Sequence, residues 1–323
     1  MEMRQILVAV DVSEWAYRVV EYVGKMLGND GRASIRILHV MSPLPESFWD
    51  IESSPLTTYR PDMMQAWDVA QRKAVEAEME KLAEILVKHG IPRDKITISV
   101  QQRQVGIARD IVFEAQKGYN ALVVGRRGAS RLKELIIGSI ASKILSRLTN
   151  VPLWVVGEQA GDKGIVIGLD PSAEAMKAVQ YVASMLGGKD RPDLKIHLVH
   201  VVRALELLTV SYDPFFVPDE RVEWMRRVEQ QQMEEVRARM GEVFENAKDI
   251  LENAGIRYKQ IEANIISGAY SRAATIVEEA RKRQCGTIVV GRRGLSKIEE
   301  FFLGRVGSKV LQLAADKTVW IVP

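Results

Sequence analysis

The sequence predicts an α/β protein built from two tandem copies of one domain, each with a parallel β-sheet. Runs rich in Val, Ile and Leu alternate with helix-like segments, the pattern of strands that helices cover on both faces. The chain of 323 residues also repeats itself, because residues 122–146 and 288–312 are nearly the same sequence. In both segments a β-branched run ends in Gly-Arg-Arg-Gly, and another Gly follows after nine residues.

Three further pairs of segments recur in the same order: 6–13 with 165–172, 37–40 with 198–201, and 151–156 with 317–322. Four repeated blocks in one order indicate a duplicated domain. Gly157, Gly161 and Gly164, with polar residues between them, are typical of a short linker. The predicted domains are therefore residues 1–157 and 164–323.

The local sequence pattern predicts where each strand and helix lies. In the first half, strands are predicted at 5–10, 34–40, 96–101, 121–125 and 153–156, and helices at 13–27, 63–89, 106–117 and 138–148. Gly90 and Pro92 give the stop signal of the second helix. The second half repeats this order, with a longer helix over 219–253. Its apolar residues recur at helical spacing, which favours core packing over a partner-binding face: Met225, Val228, Val236, Met240, Val243, Ala247 and Ile250.

Composition narrows the class of protein. Lys and Arg total 45 against 42 Asp and Glu, without a long charge run, so no nucleic-acid surface is predicted. The single cysteine, Cys285, excludes an internal disulfide and is typical of a reducing compartment. The sequence shows no leader pattern and no apolar run of ~18 residues. We expect a soluble cytosolic protein that does not engage a membrane.

Two segments, 42–61 and 203–218, interrupt the alternation with prolines and aromatic residues: Phe48, Trp49 and Tyr59 in the first, and Tyr212, Phe215 and Phe216 in the second. Loops of this length in compact domains are often functional. A surface loop and a lid or interface are both open interpretations.

The repeated glycine segment is a candidate phosphate cradle. Gly125 and Gly128 follow a predicted strand, and Gly138 and Ser139 open a predicted helix. Backbone amides approach phosphate closely where no Cβ intervenes and where a helix begins with unpaired donors. The two arginines between the first glycines add charge, although such side chains often point to solvent.

Asp11 is the second candidate. It ends the first predicted strand, at the sheet edge where doubly wound folds bind ligands. Its carboxylate can accept from ribose hydroxyls or hold Mg²⁺ between phosphates. It can equally cap the helix that begins near Ser13, and its recurrence at Asp170 does not separate these interpretations.

At these residues the chain resembles the universal stress protein family. Gly125-Arg126-Arg127-Gly128, nine residues, and Gly138-Ser139 match the G-x2-G-x9-G-[ST] motif of its nucleotide-binding members. The VDxS and LHV endings of the first two strands are also similar to the family. The resemblance covers essentially the whole chain as two copies. It implies two doubly wound domains, each with a five-stranded parallel sheet in the order 3-2-1-4-5.

The resemblance also implies a function. ATP or a related adenine nucleotide would bind between strands one and four. A Mg²⁺ ion bound to the nucleotide could then also contact Asp11. Main-chain groups of Val40 would meet adenine, and the phosphates would be lined by Gly125, Gly128, Gly138, Ser139 and the Ile140 amide. The protein would be a nucleotide sensor or regulator in the stress response, with at most slow ATP hydrolysis and no nominated catalytic residue. The alternatives are a nucleotide-free interaction scaffold and, less favoured, an ATP-dependent enzyme.

Partners follow from the same resemblance. The strands 153–156 and 319–322 would lie at sheet edges, and exposed edges pair. We expect them to join the two domains about an approximate twofold axis, as in the dimers of single-domain relatives. Further dimerisation and an unidentified protein partner stay open.

The second copy departs from the motif. Its counterparts of the first site are Asp170, Val201, Gly291, Gly294 and Gly304, but Arg305 stands where the motif has Ser or Thr. The intervening loop also changes sign: Arg131, Lys133 and Glu134 become Lys297, Glu299 and Glu300. Nucleotide binding there is open, and we expect the halves to be functionally unequal.

The four histidines give no metal-binding set. His39 and His200 recur at equivalent strand ends, where packing beside the binding edge is favoured over catalysis. The sequence contains neither a Walker motif nor a nucleophile-elbow motif.

Overall fold

The computed structural model describes residues 3–29, 31–42, 61–128, 137–159, 161, 163–188, 191–203, 219–292 and 304–323. The chain divides into two compact units, residues 1–156 (unit 1) and residues 157–323 (unit 2).

Unit 1 is a parallel sheet flanked by helices. Its strands are β1 (Arg4–Ala9), β2 (Ala33–Met41), β3 (Ile96–Gln102), β4 (Ala121–Gly125) and β5 (Leu153–Val156). Its helices are α1 (Glu14–Leu27), α2 (Pro61–Lys88), α3 (Ile107–Ala115) and α4 (Ser139–Arg147). All neighbouring strands are parallel, in the order β3-β2-β1-β4-β5. The order implied by the resemblance is therefore confirmed, and the element bounds lie within two residues of those predicted.

Burial explains why these segments are strands. Ile6, Leu7 and Val8 of β1 are all fully buried, although alternate residues of a strand face opposite sides of the sheet. A central strand with helices on both faces has no solvent side, so its sequence is continuously apolar.

Unit 2 repeats this architecture. Its strands are β6 (Gly164–Gly168), β7 (Lys195–Arg203), β8 (Ile261–Ala269), β9 (Thr287–Gly291) and β10 (Thr318–Val322). Its helices are α5 (Ala173–Leu186), α6 (Asp219–Asn253), α7 (Arg272–Lys282) and α8 (Arg305–Leu313). The parallel order β10-β9-β6-β7-β8 is the same 3-2-1-4-5 order read within the unit. The expected pairing of the last strands of the two halves stays a prediction.

Each of the two cores contains the same kind of aromatic pair. Trp154 of β5 is fully buried and meets Tyr22 edge to face, with 6.1 Å between ring centroids. Trp320 of β10 is fully buried as well and meets Tyr181 in the same manner at 5.8 Å. The duplication therefore extends from sequence to core packing.

The buried residues of α6 that the structure describes lie in its C-terminal half, and only Met240 and Ala247 of them belong to the predicted stripe. Met240, Phe244, Ala247 and Leu251 are buried at helical spacing. The other described members of the predicted stripe are only half-buried: Val228, Val236, Val243 and Ile250. The side chain of Met225 lies outside the described residues. The expectation of one continuous core stripe is wrong for the N-terminal half, because a 35-residue helix is longer than the sheet it covers.

The start of the predicted linker packs within unit 2. The amides of Glu158 and Gln159 donate to the carbonyl oxygens of Ala315 (3.4 Å) and Asp316 (2.9 Å). A Cβ on Gly157 would come within 2.3 Å of the Lys317 carbonyl oxygen, so this position requires glycine. Residues 157–159 thus form part of a folded unit.

Several sequence features lie outside the described residues. These are the aromatic residues of the two long loops (Phe48, Trp49, Tyr59, Tyr212, Phe215 and Phe216), Gly294, and the charged residues between the motif glycines (Arg131, Lys133, Glu134, Lys297, Glu299 and Glu300). Within the described part of the chain, no helix is both long and apolar enough to span a bilayer.

Candidate functional site

A cavity of about 410 Å³ opens at the carboxyl edge of the unit 1 sheet. It lies where β1 has β2 on one side and β4 on the other. The strand order reverses at β1, so the connections that leave the neighbouring strands run in opposite directions. In open α/β sheets this leaves a crevice at the carboxyl edge. All seven residues predicted for the first site line this one cavity: Asp11, Val40, Gly125, Gly128, Gly138, Ser139 and Ile140.

The backbone of Arg126 fixes the geometry of the glycine segment. Its amide donates to the Val156 carbonyl oxygen at the end of β5 (2.9 Å). Its own carbonyl oxygen accepts from the Gly138 amide at the start of α4 (2.8 Å). One residue thus ties together the strand end before the motif, the neighbouring strand and the helix after the motif.

The side chain of Arg126 is fully buried and does not point to solvent, as arginines in such loops often do. Arg127 is half-buried, and its guanidinium lies 5.8 Å from the ring centroid of Trp15 at the cavity wall. Arg292 of unit 2 is buried as well, at 4% exposure. The first arginine of the motif is therefore part of the fold in both copies.

A Cβ on each described glycine of the first motif would meet a close neighbour. A Cβ on Gly125 would lie 2.8 Å from the Arg127 carbonyl oxygen. On Gly128 it would lie 2.5 Å from Oδ2 of Asp11, and on Gly138 it would lie 3.2 Å from the Arg126 carbonyl oxygen. The glycines allow the chain to turn sharply and bring the Asp11 carboxylate against the motif backbone.

Asp11 both closes a local turn and lines the cavity. Its Oδ1 accepts from the amide of Ser13 (3.2 Å) and from the Ser13 hydroxyl, which closes a local turn before α1. Its Oδ2 lies next to Gly128 in the cavity wall. Ser13, and not Asp11, is the N-cap residue of α1. One carboxylate oxygen therefore serves the turn while the carboxylate as a whole faces the cavity.

The first turn of α4 presents backbone donors to the cavity. Gly138 is its N-cap residue, and the Ser142 amide is the first to bond within the helix, to the Gly138 carbonyl oxygen (3.0 Å). The amides of Ser139 and Ile140 have no intrahelical acceptor, as is usual in a first turn. Both residues are exposed and line the cavity, so this helix end can receive an anion.

The opposite wall is formed by the end of β2. Val40 and His39 line the cavity there, and Nδ1 of His39 donates to the Val10 carbonyl oxygen (2.9 Å). This bond holds the imidazole against the end of β1, in the packing role that the sequence favours. Trp15, Gln71 and Ile107 also line the cavity. Sequence reasoning missed these three, and no motif in the sequence singles them out.

Unit 2 has a larger cavity, of about 650 Å³, at the equivalent edge. Asp170, Val201, Gly291 and Gly304 line it, and Gly294 lies outside the described residues. The backbone bonds of Arg126 are repeated at Arg292. Its amide donates to the Val322 carbonyl oxygen (2.6 Å), and its carbonyl oxygen accepts from the Gly304 amide (2.8 Å). The altered motif therefore keeps an open cavity.

His200 stands at the wall of the unit 2 cavity. Burial lowers the pKa of its imidazole, while a hydrogen bond from Nδ1 to the Leu169 carbonyl oxygen (2.8 Å) opposes that shift. Arg272 lowers the pKa further and Asp170 raises it. In the described part of the chain, His, Cys, Asp and Glu form no group of three that could hold a metal ion.

Comparison with known proteins identifies the family. A model of the universal stress protein family matches residues 2–157 and again residues 163–323, which confirms the resemblance stated from the motifs. A universal stress protein of Mycolicibacterium smegmatis is 24% identical over 325 residues, 98% of this chain and 97% of that protein. The universal stress protein YxiE of Bacillus subtilis is 29% identical over 148 residues, 46% of this chain and 88% of that protein.

Solved structures show the same fold. The structure of a universal stress protein from Archaeoglobus fulgidus aligns with a TM-score of 0.58 at 18% identity, covering 100% of this chain and 99% of that one. A functionally unknown protein of Pseudomonas aeruginosa PAO1 aligns with a TM-score of 0.53 at 14% identity, covering 99% and 92%.

Proposed function

Because the chain belongs to the universal stress protein family, we propose that unit 1 binds an adenine nucleotide, ATP in the first place. On this proposal the protein is a cytosolic sensor or regulator in the stress response. It acts by binding the nucleotide and hydrolyses it slowly at most. The observation that supports it most is that all seven predicted site residues line one cavity.

The phosphates would lie at the start of α4. Two amides of its first turn, the Ser139 hydroxyl and the positive end of the helix dipole all favour a negative charge there. The hydrogen bond from the Gly138 amide to the Arg126 carbonyl oxygen holds these donors in place before any ligand binds. Preorganised donors lose little freedom on binding, which improves affinity.

The nucleoside would lie between β1 and β2. Val40 is at the end of β2, and the apolar side chain of Ile107 lines the same cavity, as a flat base requires. The Asp11 carboxylate, next to Gly128, is placed to accept from ribose hydroxyls. It also fits a Mg²⁺ held through the phosphates, because Mg²⁺ usually binds one or two carboxylates together with substrate phosphates.

The test uses two serines of one helix. Ser139→Ala removes a hydroxyl from the cavity, whereas Ser142→Ala makes the same change one turn later, outside the cavity. We expect ATP affinity, measured by calorimetry, to fall about tenfold or more for Ser139→Ala, because a hydrogen bond to a charged group is worth ~1.5–3 kcal/mol. The Ser142→Ala control should bind like the parent.

Acid extraction of the purified protein gives an independent measure of bound nucleotide. Protein that contains no nucleotide and gives no heat with ATP would refute the proposal and favour a nucleotide-free scaffold. Equal affinities of the two serine variants would instead refute the assignment of the phosphate site.

A further inference from the structure

The unit 2 cavity differs from its unit 1 counterpart in charge. Of the residues that the structure describes, four cationic side chains line it: Arg203, Arg272, Arg305 and Lys309. Asp170 is the one carboxylate among the described lining residues. In the unit 1 cavity the described cations are Arg126 and Arg127, and the first of these is fully buried.

Three of the four cations replace uncharged lining residues of unit 1. The alignment of the two copies places Arg203 at the position of Ser42, Arg272 at that of Ile107, and Arg305 at that of Ser139. Both members of each pair line their own cavity. The duplication therefore kept the crevice and changed its chemistry.

The cations stand at two separate places. Arg203 ends β7, and Arg272 begins α7, which follows β8. Arg305 begins α8, which follows β9, and Lys309 lies one turn further along that helix. Because β6 separates β7 from β9, the elements that carry the two groups follow strands on opposite sides of β6, and these strands lie about 10 Å apart at ~4.8 Å per strand step.

Arg272 also occupies the edge at which adenine is expected. Its Nε donates to the carbonyl oxygen of Val201 (3.3 Å), the counterpart of Val40. In unit 1 the same position carries Ile107, which has no hydrogen-bond donor in its side chain. Unit 2 thus offers a guanidinium where unit 1 offers an apolar surface and an accessible strand end.

The end of β8 is rebuilt next to these cations. Val201 pairs with Ile266 and Arg203 with Ala269, so β8 carries one residue more than β7 at this point. Gly268, with φ of 74°, lies within this bulge. Bulges at sheet ends re-aim neighbouring side chains and are common beside binding sites. In unit 1, β2 and β3 pair in continuous register to their ends.

Between the two cationic groups the floor of the cavity is apolar. Leu169, Val199, Ile276 and Val290 line it, and the largely exposed Tyr270 stands at the same wall as Arg272. A ligand that fits has anionic groups at both ends and a carbon-rich middle. Arginine favours phosphate because its planar fork can form two parallel hydrogen bonds to it.

We propose that the unit 2 cavity binds a bisphosphorylated organic molecule, with one phosphoryl group at Arg203 and Arg272 and the other at Arg305 and Lys309. The two halves of the chain then bind two different ligands. This inference stands apart from nucleotide binding in unit 1, because it depends on other residues.

Calorimetry at low ionic strength tests it with defined probes, on the full chain with ATP present. The probes are fructose 1,6-bisphosphate and adenosine 3′,5′-bisphosphate, with fructose 6-phosphate as the ligand that lacks one phosphoryl group. We expect one equivalent of at least one bisphosphate per chain, bound at least about tenfold more tightly than fructose 6-phosphate. Binding should weaken with added salt, because exposed cations are screened.

The variants come from the chain itself. Arg272→Ile and Arg305→Ser each install the residue of unit 1, and each should weaken bisphosphate binding by about tenfold or more. Lys143→Ala, at the unit 1 counterpart of Lys309 but outside the unit 1 cavity, should leave it unchanged. Thermal unfolding of each variant verifies that the fold is retained.

Three results would overturn the inference: no binding of either bisphosphate, equal affinity for fructose 6-phosphate, or unchanged affinity in both arginine variants. Two equivalents of ATP per chain would overturn it as well, since unit 2 would then take the same ligand as unit 1. Failure of ATP to bind unit 1 appears as the absence of ATP heat and leaves the bisphosphate measurement intact.

Discussion

The amide nitrogen of Gly138 donates a hydrogen bond to the carbonyl oxygen of Arg126, 2.8 Å away. The equivalent bond joins Gly304 to Arg292, also at 2.8 Å. Each bond ties the start of a helix to the end of the strand that precedes the motif. The position of the helix amides is therefore set by the backbone of the chain itself.

Gly138→Ala tests whether this position matters for nucleotide binding. The new Cβ would lie 3.2 Å from the Arg126 carbonyl oxygen, so the helix start must shift by a few tenths of an ångström. We expect ATP affinity in calorimetry to fall about tenfold or more, because preorganised hydrogen-bond donors lose strength when misplaced. Gly304→Ala, in unit 2, should leave ATP affinity and a stoichiometry of one ATP per chain unchanged. Two equivalent ATP sites in the parent would contradict the expected inequality of the halves.

Asp11→Asn separates the two roles of this residue. Asparagine accepts from the Ser13 amide as aspartate does, so the turn before α1 and the free energy of unfolding should change little. The lost negative charge should weaken binding of Mg·ATP more than binding of ATP in EDTA. Asp170→Asn is the matched change in unit 2 and should affect neither. If Asp11→Asn destabilises the fold but binds Mg·ATP normally, the carboxylate serves only the turn.

Gly241→Ala should stabilise the protein. Gly241 lies inside α6, and a Cβ built on it meets nothing within 4 Å. Alanine lowers the backbone entropy of the unfolded chain, which is worth ~0.5–1 kcal/mol inside a helix. Urea unfolding measures the gain. Gly187→Ala is the contrasting control, because its Cβ would lie 2.5 Å from the Ala183 carbonyl oxygen and should destabilise. A loss of stability in Gly241→Ala would mean that the helix is not formed there.

The single thiol should be inert in the folded protein. Cys285 is fully buried, and burial raises its pKa to about 11. The thiolate is the reactive form, so the native protein should react with Ellman's reagent far more slowly than the denatured protein, which should release one equivalent per chain. Rapid reaction under native conditions would show that this core opens readily.

Stability should fall as the solution is acidified below a pH of about 6.5. His197 is 5% exposed, and its pKa is lowered by burial and by Arg283, whose Nη1 lies 2.9 Å from Nδ1. The carboxylates of Glu262 and Glu279 oppose the shift without reversing it. As pH falls, the unfolded chain binds the imidazole proton first, so the free energy of unfolding decreases.

His197→Gln provides the comparison for this pH effect. It removes the titrating group and keeps a hydrogen-bond acceptor for Arg283. Urea titrations of parent and variant on both sides of the histidine pKa should give a shallower acid slope in the variant. An identical slope in both proteins would assign the effect to other groups.

The strands were the easiest elements to predict. The central strands β1 and β4 are short, nearly continuous apolar runs, as expected where helices cover both faces of the sheet. The order of the strands did not follow from these patterns and came from the family resemblance. Local sequence does not report which strands are neighbours in a parallel sheet, because crossovers through helices separate them.

Side-chain placement was harder to predict. Arg126 and Arg127 are adjacent and identical in type, yet only the first is fully buried, a difference that the sequence pattern does not predict. The charge of the unit 2 cavity was also missed beyond Arg305. Arg203 and Arg272 are 69 positions apart in sequence, and only the fold brings them to one wall.

The bonds of Glu158 and Gln159 to the turn at 315–316 have a consequence for dissecting the molecule. A fragment that begins at residue 164 would lose both bonds, together with the contact of Gly161 against Gly286. A fragment that begins at residue 157 retains them, so we expect it to express and refold better than the shorter one. The second folded unit therefore begins ahead of the glycine-rich stretch, and a cut at residue 164, chosen by sequence symmetry alone, would remove contacts that belong to it.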